Sequence, residues 1–517
     1  MVDLDRVSDL ELLRTVAKVQ EAEIRRLSKQ LLLVTKELAA AKKEDSAAIQ
    51  ERLSILEKEL QEVQERAYGH QSERRPRSDK PTKEKKPQTG HGPTPQPDLL
   101  TVTELHVLDQ PDRACPSCGG ELKPWLDQFE DSEEVDVVDV KYVLKKHRRQ
   151  KYRCGCGGCI ETALGPTKLI AGGRYSLAFA VHVAIEKYCA HMPLERQAKR
   201  MAWAGLDVTT QTLWDQLYAL SRCFSVAIKR LHEYLLKKEV LMGDETRWPL
   251  LGVNGRASKN WFDWVLVADD AVLHSIRETR SKDAAREVLT GFKGTLLTDG
   301  YGVYSSLATE LGYSQAHDWC HARRYFIEAE ATAPDEVGPI LDDIGKLFLI
   351  ERDIVAAFSG QPLERALEIR RTMRERQSRP IVEAIGAKAT QVKALSESPI
   401  GRAVKYLTNQ WDGLIRFLGD PKIPITSNAA EGALRALVLG RNNHFGSKSK
   451  RGTEVSAMMY SLIESARLNG LDPARYLKFA AEVHLRGGLA PLPHEVRQDA
   501  FAAARVGPPA APQLENG

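Results

Sequence analysis

Three acidic residues in this 517-residue chain sit in settings that suit chemistry. In Glu239-Val-Leu-Met-Gly-Asp-Glu-Thr-Arg247 an apolar run ends at Gly243 and presents Asp244. In Gly294-Thr-Leu-Leu-Thr-Asp-Gly-Tyr-Gly-Val-Tyr304 the same device delivers Asp299 into a glycine turn. Apolar Leu296 and Leu297 suit a buried strand, and Gly300 and Gly302 stop it and bend the backbone away from the carboxylate. The third acid, Glu431, lies in Ser427-Asn-Ala-Ala-Glu-Gly-Ala-Leu-Arg435, which reads as the first turns of a helix.

Two aspartates at strand ends and a glutamate inside a helix suit a pair of divalent metals held about 3.5 to 4 Å apart. All-oxygen ligands favour Mg2+ or Mn2+. One ion would lower the pKa of an attacking water or hydroxyl, and the other would stabilise the leaving 3′ oxygen of an in-line displacement at phosphorus. No protein nucleophile is required. Each acid also has a plain structural reading. Aspartate beside glycine is ordinary turn chemistry, and Glu431, three residues after Asn428, fits a capping box. Taken together they carry more weight, because Asn428, Glu431 and Arg435 follow at steps of three and four and share one helix face.

The elements that must position these acids follow from periodicity. Strands are expected at residues 240–242, 260–267, 272–276 and 294–298, with a helix at 283–289, which makes a mixed sheet covered by helices. The stretch 312–326 reads as a further strand running into a basic helix, with Arg323 and His321 near the site, His321 as a packed or hydrogen-bonded histidine. Residues 334–418 are helical, with Ile340, Leu341, Ile344, Leu347 and Phe348 at helical spacing. This block makes the interval from Asp299 to Glu431 132 positions (431 − 299), against 55 between Asp244 and Asp299 (299 − 244), so it reads as an insertion into the sheet domain. Past Glu431, residues 437–452 read as a glycine-punctuated basic loop. Arg435, Arg441 and Lys448 are the expected phosphate contacts there.

Upstream, Leu10, Leu13, Ala17, Gln20, Ile24, Leu27 and Leu31 begin a heptad seam, and Ile49, Leu53, Leu56, Leu60 and Val63 resume it. A coiled coil that joins two copies is the functional expectation, and a helical hairpin on one chain is the alternative. A Pro- and Lys/Arg-rich stretch follows and reads as a basic disordered linker. Cys115 and Cys118 have two-residue spacing. Cys154, Cys156 and Cys159 offer three thiols for two further places, so a zinc ribbon is expected with either Cys156 or Cys159 as the last ligand. Residues 194–205 and 208–214 read as a helix pair around Gly205; as a helix-turn-helix it would put Gln211 and Thr212 near base edges, and as a plain pair it would only pack a core.

Composition sets the frame. With 42% hydrophobic and 28% charged residues the chain is globular, and a net charge of +4 is too small to establish a polyanion partner without the local clusters. No apolar run approaches a membrane span, and the acidic start lacks the basic flank of a secretory signal, so a cytoplasmic protein is expected.

The combined pattern of Gly-Asp244-Glu-Thr, Thr-Asp299-Gly-Tyr, Trp319-Cys-His-Ala-Arg-Arg-Tyr-Phe326, Asn428-Ala-Ala-Glu431-Gly-Ala-Leu-Arg435 and Ser461-Leu-Ile-Glu-Ser-Ala-Arg-Leu-Asn-Gly-Leu-Asp-Pro473 resembles the IS-sixty-six (IS66) class of bacterial insertion-sequence transposases. The resemblance implies that Asp244, Asp299 and Glu431 are the DDE triad of an RNase H-like core interrupted by a helical insertion. It also implies a leucine-zipper-like N-terminal helix and a cysteine zinc-binding domain. The expected organisation is a multidomain α/β protein: coiled coil 1–67, linker 68–98, zinc-binding domain 99–165, helix-turn-helix-like domain 166–236, RNase H-like core 237–330 and 426–484, helical insertion 331–425, and flexible tail 485–517. The expected activity is binding of the element's terminal inverted repeats, hydrolysis at each 3′ end and joining to target DNA. A homodimer or higher oligomer, with helper proteins from the same element, is the expected assembly. A DNA-binding regulator without catalysis, or a nuclease that cuts and never joins, are the alternative readings.

Overall fold

The computed structural model describes residues 142–153, 160–162, 165–252, 257–358 and 360–497. The expected coiled coil, the basic linker, Cys115, Cys118 and residues 154–159 with their three cysteines lie outside the described residues. The chain divides into two units, 74–143 and the remainder, and every described helix and strand belongs to the remainder. Among the described residues its first elements are a short antiparallel pair, β1 (Lys151–Arg153) and β2 (Ile160–Thr162), in which Arg153 pairs with Ile160.

Four helices follow: α1 (Leu177–Tyr188), α2 (Leu194–Trp203), α3 (Thr210–Arg222) and α4 (Ser225–Leu235). Side-chain oxygens of Ser176 and Thr209 accept the Phe179 and Thr212 amides, which sets where α1 and α3 begin. On α3, Leu213, Leu217 and Leu220 make a buried stripe at helical spacing.

A five-stranded sheet then forms from β3 (Val240–Leu251), β4 (Ala257–Val267), β5 (Val272–Arg277), β6 (Thr295–Thr298) and β7 (Ser314–His317) in the order β5-β4-β3-β6-β7. The first three strands make an antiparallel meander, and β6 and β7 run parallel to β3. The parallel strands need crossovers, supplied by α5 (Lys282–Leu289) and α6 (Gly302–Leu311). Leu296 and Leu297 are both fully buried, as expected for a strand covered on two faces.

Beyond β7 the chain turns into α7 (Trp319–Glu330) and the helical block α8 (Pro334–Phe358), α9 (Leu363–Met373), a π-helical turn (Arg374–Ser378), α10 (Arg379–Gln391), α11 (Pro399–Asn409), α12 (Trp411–Leu414) and α13 (Arg416–Gly419). Its core, built from Trp319, Phe326, Ile344, Ile385 and Leu407, is continuous with Leu297 of β6 and Ala316 of β7. The block is therefore anchored on the β6–β7 side of the sheet, where Asp299 follows β6.

The chain returns through α14 (Asn428–His444), whose Ala430, Ala433 and Leu434 pack on Val265, Val267 and Val272 of the sheet. α15 (Lys450–Leu468) then covers edge strand β5. Ser461 and Ser465, one turn apart, accept the His274 and Val272 amides at 2.8 Å each, satisfying donors that an uncovered edge would leave open. α1 packs on this same helix, with Tyr188 edge-on to Tyr460 at 5.2 Å, so helices from 166–236 and from 426–484 share one core.

Three expectations are corrected. Gly243 does not end β3, which runs on to Leu251, because its pairing with β4 continues through Asp244↔Val265 and beyond. The basic loop at 437–452 is mostly helix: α14 continues to His444 and α15 starts at Lys450. The first part of the tail, residues 487–497, is packed, since Ala490 and Leu492 are buried and Arg230 donates to the Ala490 carbonyl at 3.1 Å; residues 498–517 lie outside the described residues. Its 3-10 turn, Pro493–Glu495, adds a ring stack of His494 on Tyr234 at 3.8 Å.

Candidate active site

Strand register brings the two aspartates together. The last pair between β3 and β6 is Met242↔Leu297, and each aspartate lies two residues further on (244 − 242 and 299 − 297). Asp244 thus projects from mid-strand where its parallel neighbour stops, and Asp299 sits in the turn that ends that neighbour. The turn is tight. Asp299 Oδ1 accepts the Tyr301 amide at 2.9 Å, and the Asp299 carbonyl accepts the Tyr406 hydroxyl of α11 at 2.7 Å. Gly300 has φ +91°, a conformation that favours glycine, and a Cβ there would sit tightly against Gln410 Cδ at 3.2 Å and the Tyr406 oxygen at 3.3 Å.

Glu431 arrives on α14. The capping box does not form: the N-cap is Ser427, which places Glu431 four residues in rather than three, and no side chain caps the helix start. The Ser427 hydroxyl instead donates to Asp318 Oδ2 at 2.6 Å, and its amide donates to the same oxygen at 3.1 Å. Asp318, fully buried at the N-cap of α7, also accepts the Cys320 amide at 2.6 Å and lies 3.3 Å from His321 Nδ1. Burial opposes its ionisation, but the donors from His321, Ser427 and Cys320 hold its pKa below the ordinary value. One carboxylate therefore ties the Glu431 helix to the end of β7.

The electrostatics are those of an acid cluster. The Asp244 carboxyl is pushed up to about 7 by burial, with the charges of Glu245, Asp299 and Glu431 acting in the same direction. His317, buried at the end of β7, is pulled down to about 4 by burial despite the attraction of Asp299. His321 is raised, because its contact with Asp318 outweighs burial. Asp318, His321 and Glu431 offer ligand atoms that all lie within 4.8 Å of one another. Arg324 Nη2 stands 3.8 Å from Glu431 Oε1.

The structure thus draws Asp244, Asp299, Glu431 and His321 into one electrostatic neighbourhood. The other sequence candidates divide. Arg323 is half-buried on α7, and Arg435 is exposed one turn beyond Glu431. Arg441 is engaged with neutral oxygens, donating to Thr246 Oγ1 at 3.2 Å and to the Arg247 carbonyl, so it holds α14 to β3. Lys448 is exposed, 3.7 Å from Glu195 of α2. Gln211 donates to Asp215 at 2.8 Å, and Thr212 pairs with the cap Thr209, so the hydrogen bonds of both stay within α3. Asp318 and Arg324 went unread in the sequence. The available signal was phase: Asp318, His321 and Arg324 recur at steps of three, on one helix face with the first as cap.

Among protein families, residues 172–455, more than half of the chain, match the transposase IS66 family, and residues 112–157 match the zinc-finger binding domain of transposase IS66. Among curated proteins, the uncharacterized protein y4jD of Sinorhizobium fredii (strain NBRC 101917 / NGR234) is 30% identical over 390 residues, covering 72% of this chain and 74% of the relative. The uncharacterized protein y4hP of the same strain is 26% identical over 417 residues, covering 74% of this chain and 72% of the relative. A third from that strain, y4qI, is 25% identical over 370 residues, covering 67% and 66%. No described helix is long and apolar enough to cross a membrane.

Proposed function

The chain belongs to the IS66 family of transposases, and from that premise we propose that it is a DDE transposase whose triad is Asp244, Asp299 and Glu431. The observation that carries this reading is the equal two-residue offset of Asp244 and Asp299 beyond the β3–β6 register, with the charge of Glu431 bearing on Asp244. The sheet order, three antiparallel strands followed by two parallel ones with a helical block before the last acid, supports an RNase H-like core.

The donor set fits a divalent cation. Asp244 is half-buried beside other acids, and such a cluster is costly unless protonated or neutralised. Asp244, Asp299 and Glu431 would hold Mg2+ or Mn2+, which when bound lowers the pKa of the attacking water or 3′ hydroxyl and offsets charge at phosphorus. The chain's own residues do the rest. Asp318 fixes the start of α14 through Ser427 and so sets where Glu431 stands. Tyr406 and the Gly300 turn fix the Asp299 backbone. Arg435 and Lys448, both exposed, meet backbone phosphates, with Arg323 closer to the site, and Gln211 and Thr212 on α3 face the base edges of the terminal repeat. The zinc finger would use Cys115, Cys118, Cys154 and either Cys156 or Cys159. Residues 1–67 pair two copies, and helper proteins from the same element complete the assembly. Its substrates are the element's terminal inverted repeats and a target duplex: 3′ strand hydrolysis comes first, then attack by the freed hydroxyl.

The test uses a plasmid carrying the gene with its flanking DNA, incubated with purified chain in Mg2+. Nicks at the 3′ ends of the flanking repeats, followed by joined product, are expected from wild type and not from Asp299→Asn, while both bind the DNA. Cleavage that survives in Asp299→Asn removes the triad reading. Hydrolysis without joining would leave only a nuclease.

A further inference from the structure

An acid cluster repels the substrate it must cut, so a DNA phosphate needs a cation held rigidly next to it. Arg280, in the turn between β5 and α5, is such a cation. Its Nε donates to Glu245 Oε1 at 2.8 Å, and its Nη2 contacts the same oxygen. The Glu245 side chain is 1% exposed, and its other oxygen takes the Tyr304 hydroxyl at 2.6 Å, so this carboxylate is fully engaged within the protein. The guanidinium lies over the Tyr301 ring, 4.1 Å from its centroid, and the Tyr301 hydroxyl donates to the Arg280 carbonyl at 3.1 Å. Tyr301 is the residue whose amide holds Asp299 Oδ1.

Arg280 is thus built onto the catalytic turn from two sides, with one edge on the residue after Asp244 and one face on the residue two after Asp299. Its side chain is still 44% exposed. A guanidinium has five donors in a fixed fork, and those of Nη1 are not engaged by Glu245. Had Arg280 served only to neutralise Glu245, a flexible ion pair would have been enough; the aromatic platform fixes the plane of the fork, which a bidentate phosphate contact requires.

We propose that Arg280 is a substrate-positioning residue that binds a DNA phosphate beside the acid triad, oriented by Glu245 and Tyr301. The proposal rests on the transposase reading of the same site.

The experiment uses the full chain and a 50-base-pair duplex copied from the DNA flanking the gene, with strand cleavage and binding each followed across a salt series. In Arg280→Ala, KM is expected to rise about tenfold with kcat within a few-fold of wild type, and the slope of log affinity against log salt is expected to fall by about one. Arg280→Lys should keep the slope and recover part of the KM loss. The double variant Glu245→Gln with Arg280→Ala separates contact from charge balance. If Arg280 contacts phosphate, the double variant stays as impaired as Arg280→Ala; recovery to the level of Glu245→Gln, or an unchanged salt slope in Arg280→Ala, would overturn the proposal. The salt slope is read from binding alone, so a wild-type chain that binds without cleaving would refute the transposase mechanism and leave the Arg280 measurement standing.

Discussion

Arg374 in the helical block is withdrawn from water and Asp244 on the central strand β3 is partly so, and the chain treats them differently. Arg374 is fully buried in the π-helical turn. Its guanidinium meets Glu351 at 2.7 and 2.9 Å and donates to the carbonyls of Phe417, Asp420 and Ile423 at 2.8, 3.3 and 3.0 Å. Its charge is compensated by an acid and its donors are satisfied by carbonyls. Asp244 is surrounded instead by Glu245, Asp299 and Glu431, and its carboxyl is held near neutrality by burial and like charge. A charge matched within the chain builds structure; charges left to repel one another mark the place where something from outside must complete the set.

The contrast breaks most visibly at Asp299. Asp299→Asn is expected to lose roughly a thousandfold or more of Mg2+-dependent strand cleavage, since ligand loss removes several kcal/mol of transition-state stabilisation, while its thermal midpoint stays at or above that of wild type. An active Asp299→Asn would erase the distinction. The reverse holds at Arg374: substitution by alanine strands Glu351 and is expected to cost about 3 to 5 kcal/mol of stability, with no change in the Mg2+ concentration needed by the protein that remains folded. A midpoint equal to wild type in urea would show that the knot is not structural.

Asp318 lies between the two cases, compensated by donors yet attached to the site. Asp318→Ala leaves the Ser427 and Cys320 amides without their acceptor, which is expected to cost about 1 to 3 kcal/mol. A shift of about 1 Å at Glu431 would lower cleavage about a hundredfold. Ser427→Ala keeps the amide contact and should show a fraction of both effects. Wild-type turnover in a folded Asp318→Ala would show that Glu431 is placed by other means.

The pH dependence sharpens the comparison further. The Asp244 pKa is raised from 3.8 to about 7 on folding, so between those values the folded chain keeps a proton that the unfolded chain has released. Stability from this group is complete below 3.8 and is lost as pH rises through about 7. Metal-free wild type should therefore lose stability relative to Asp244→Asn across that window, and Mg2+ should restore it at the alkaline end. A stability difference between the two that stays flat from pH 4 to 7 would contradict the acid-cluster account. The smallest effect is expected at the two cations of the 437–452 stretch. Lys448→Ala should change stability by about 0.5 kcal/mol or less while reducing the salt dependence of DNA binding. Arg441→Ala should do the opposite, because its donors are already engaged by Thr246 and Arg247.

Much of the sheet was legible because its signals are local. Leu296 and Leu297 before Asp299-Gly300 and the helical spacing of Ile340, Ile344 and Leu347 each need only a few neighbouring residues to be read. Gly243 misled for the same reason: the glycine suggests an end, but the partner that keeps β3 straight is β4, whose register cannot be seen from residues 240–247. Asp318 was harder still. As a sequence signal it is one N-cap among several, and its second role depends on Ser427, 109 residues away.

Residue types and short-range spacing were enough to nominate Asp244, Asp299 and Glu431, because strand, turn and helix starts are governed by interactions within a few residues. Convergence of those acids was a tertiary matter, decided by parallel pairing of β3 with β6, by the packing of α14 on β4 and β5, and by the Asp318–Ser427 link. The same division separates Arg441 from Arg280. Both are arginines near glycine or turn residues in the sequence, and only the folded chain ties one to the Thr246 hydroxyl and the Arg247 carbonyl and seats the other on Glu245 and Tyr301 with its side chain still partly exposed.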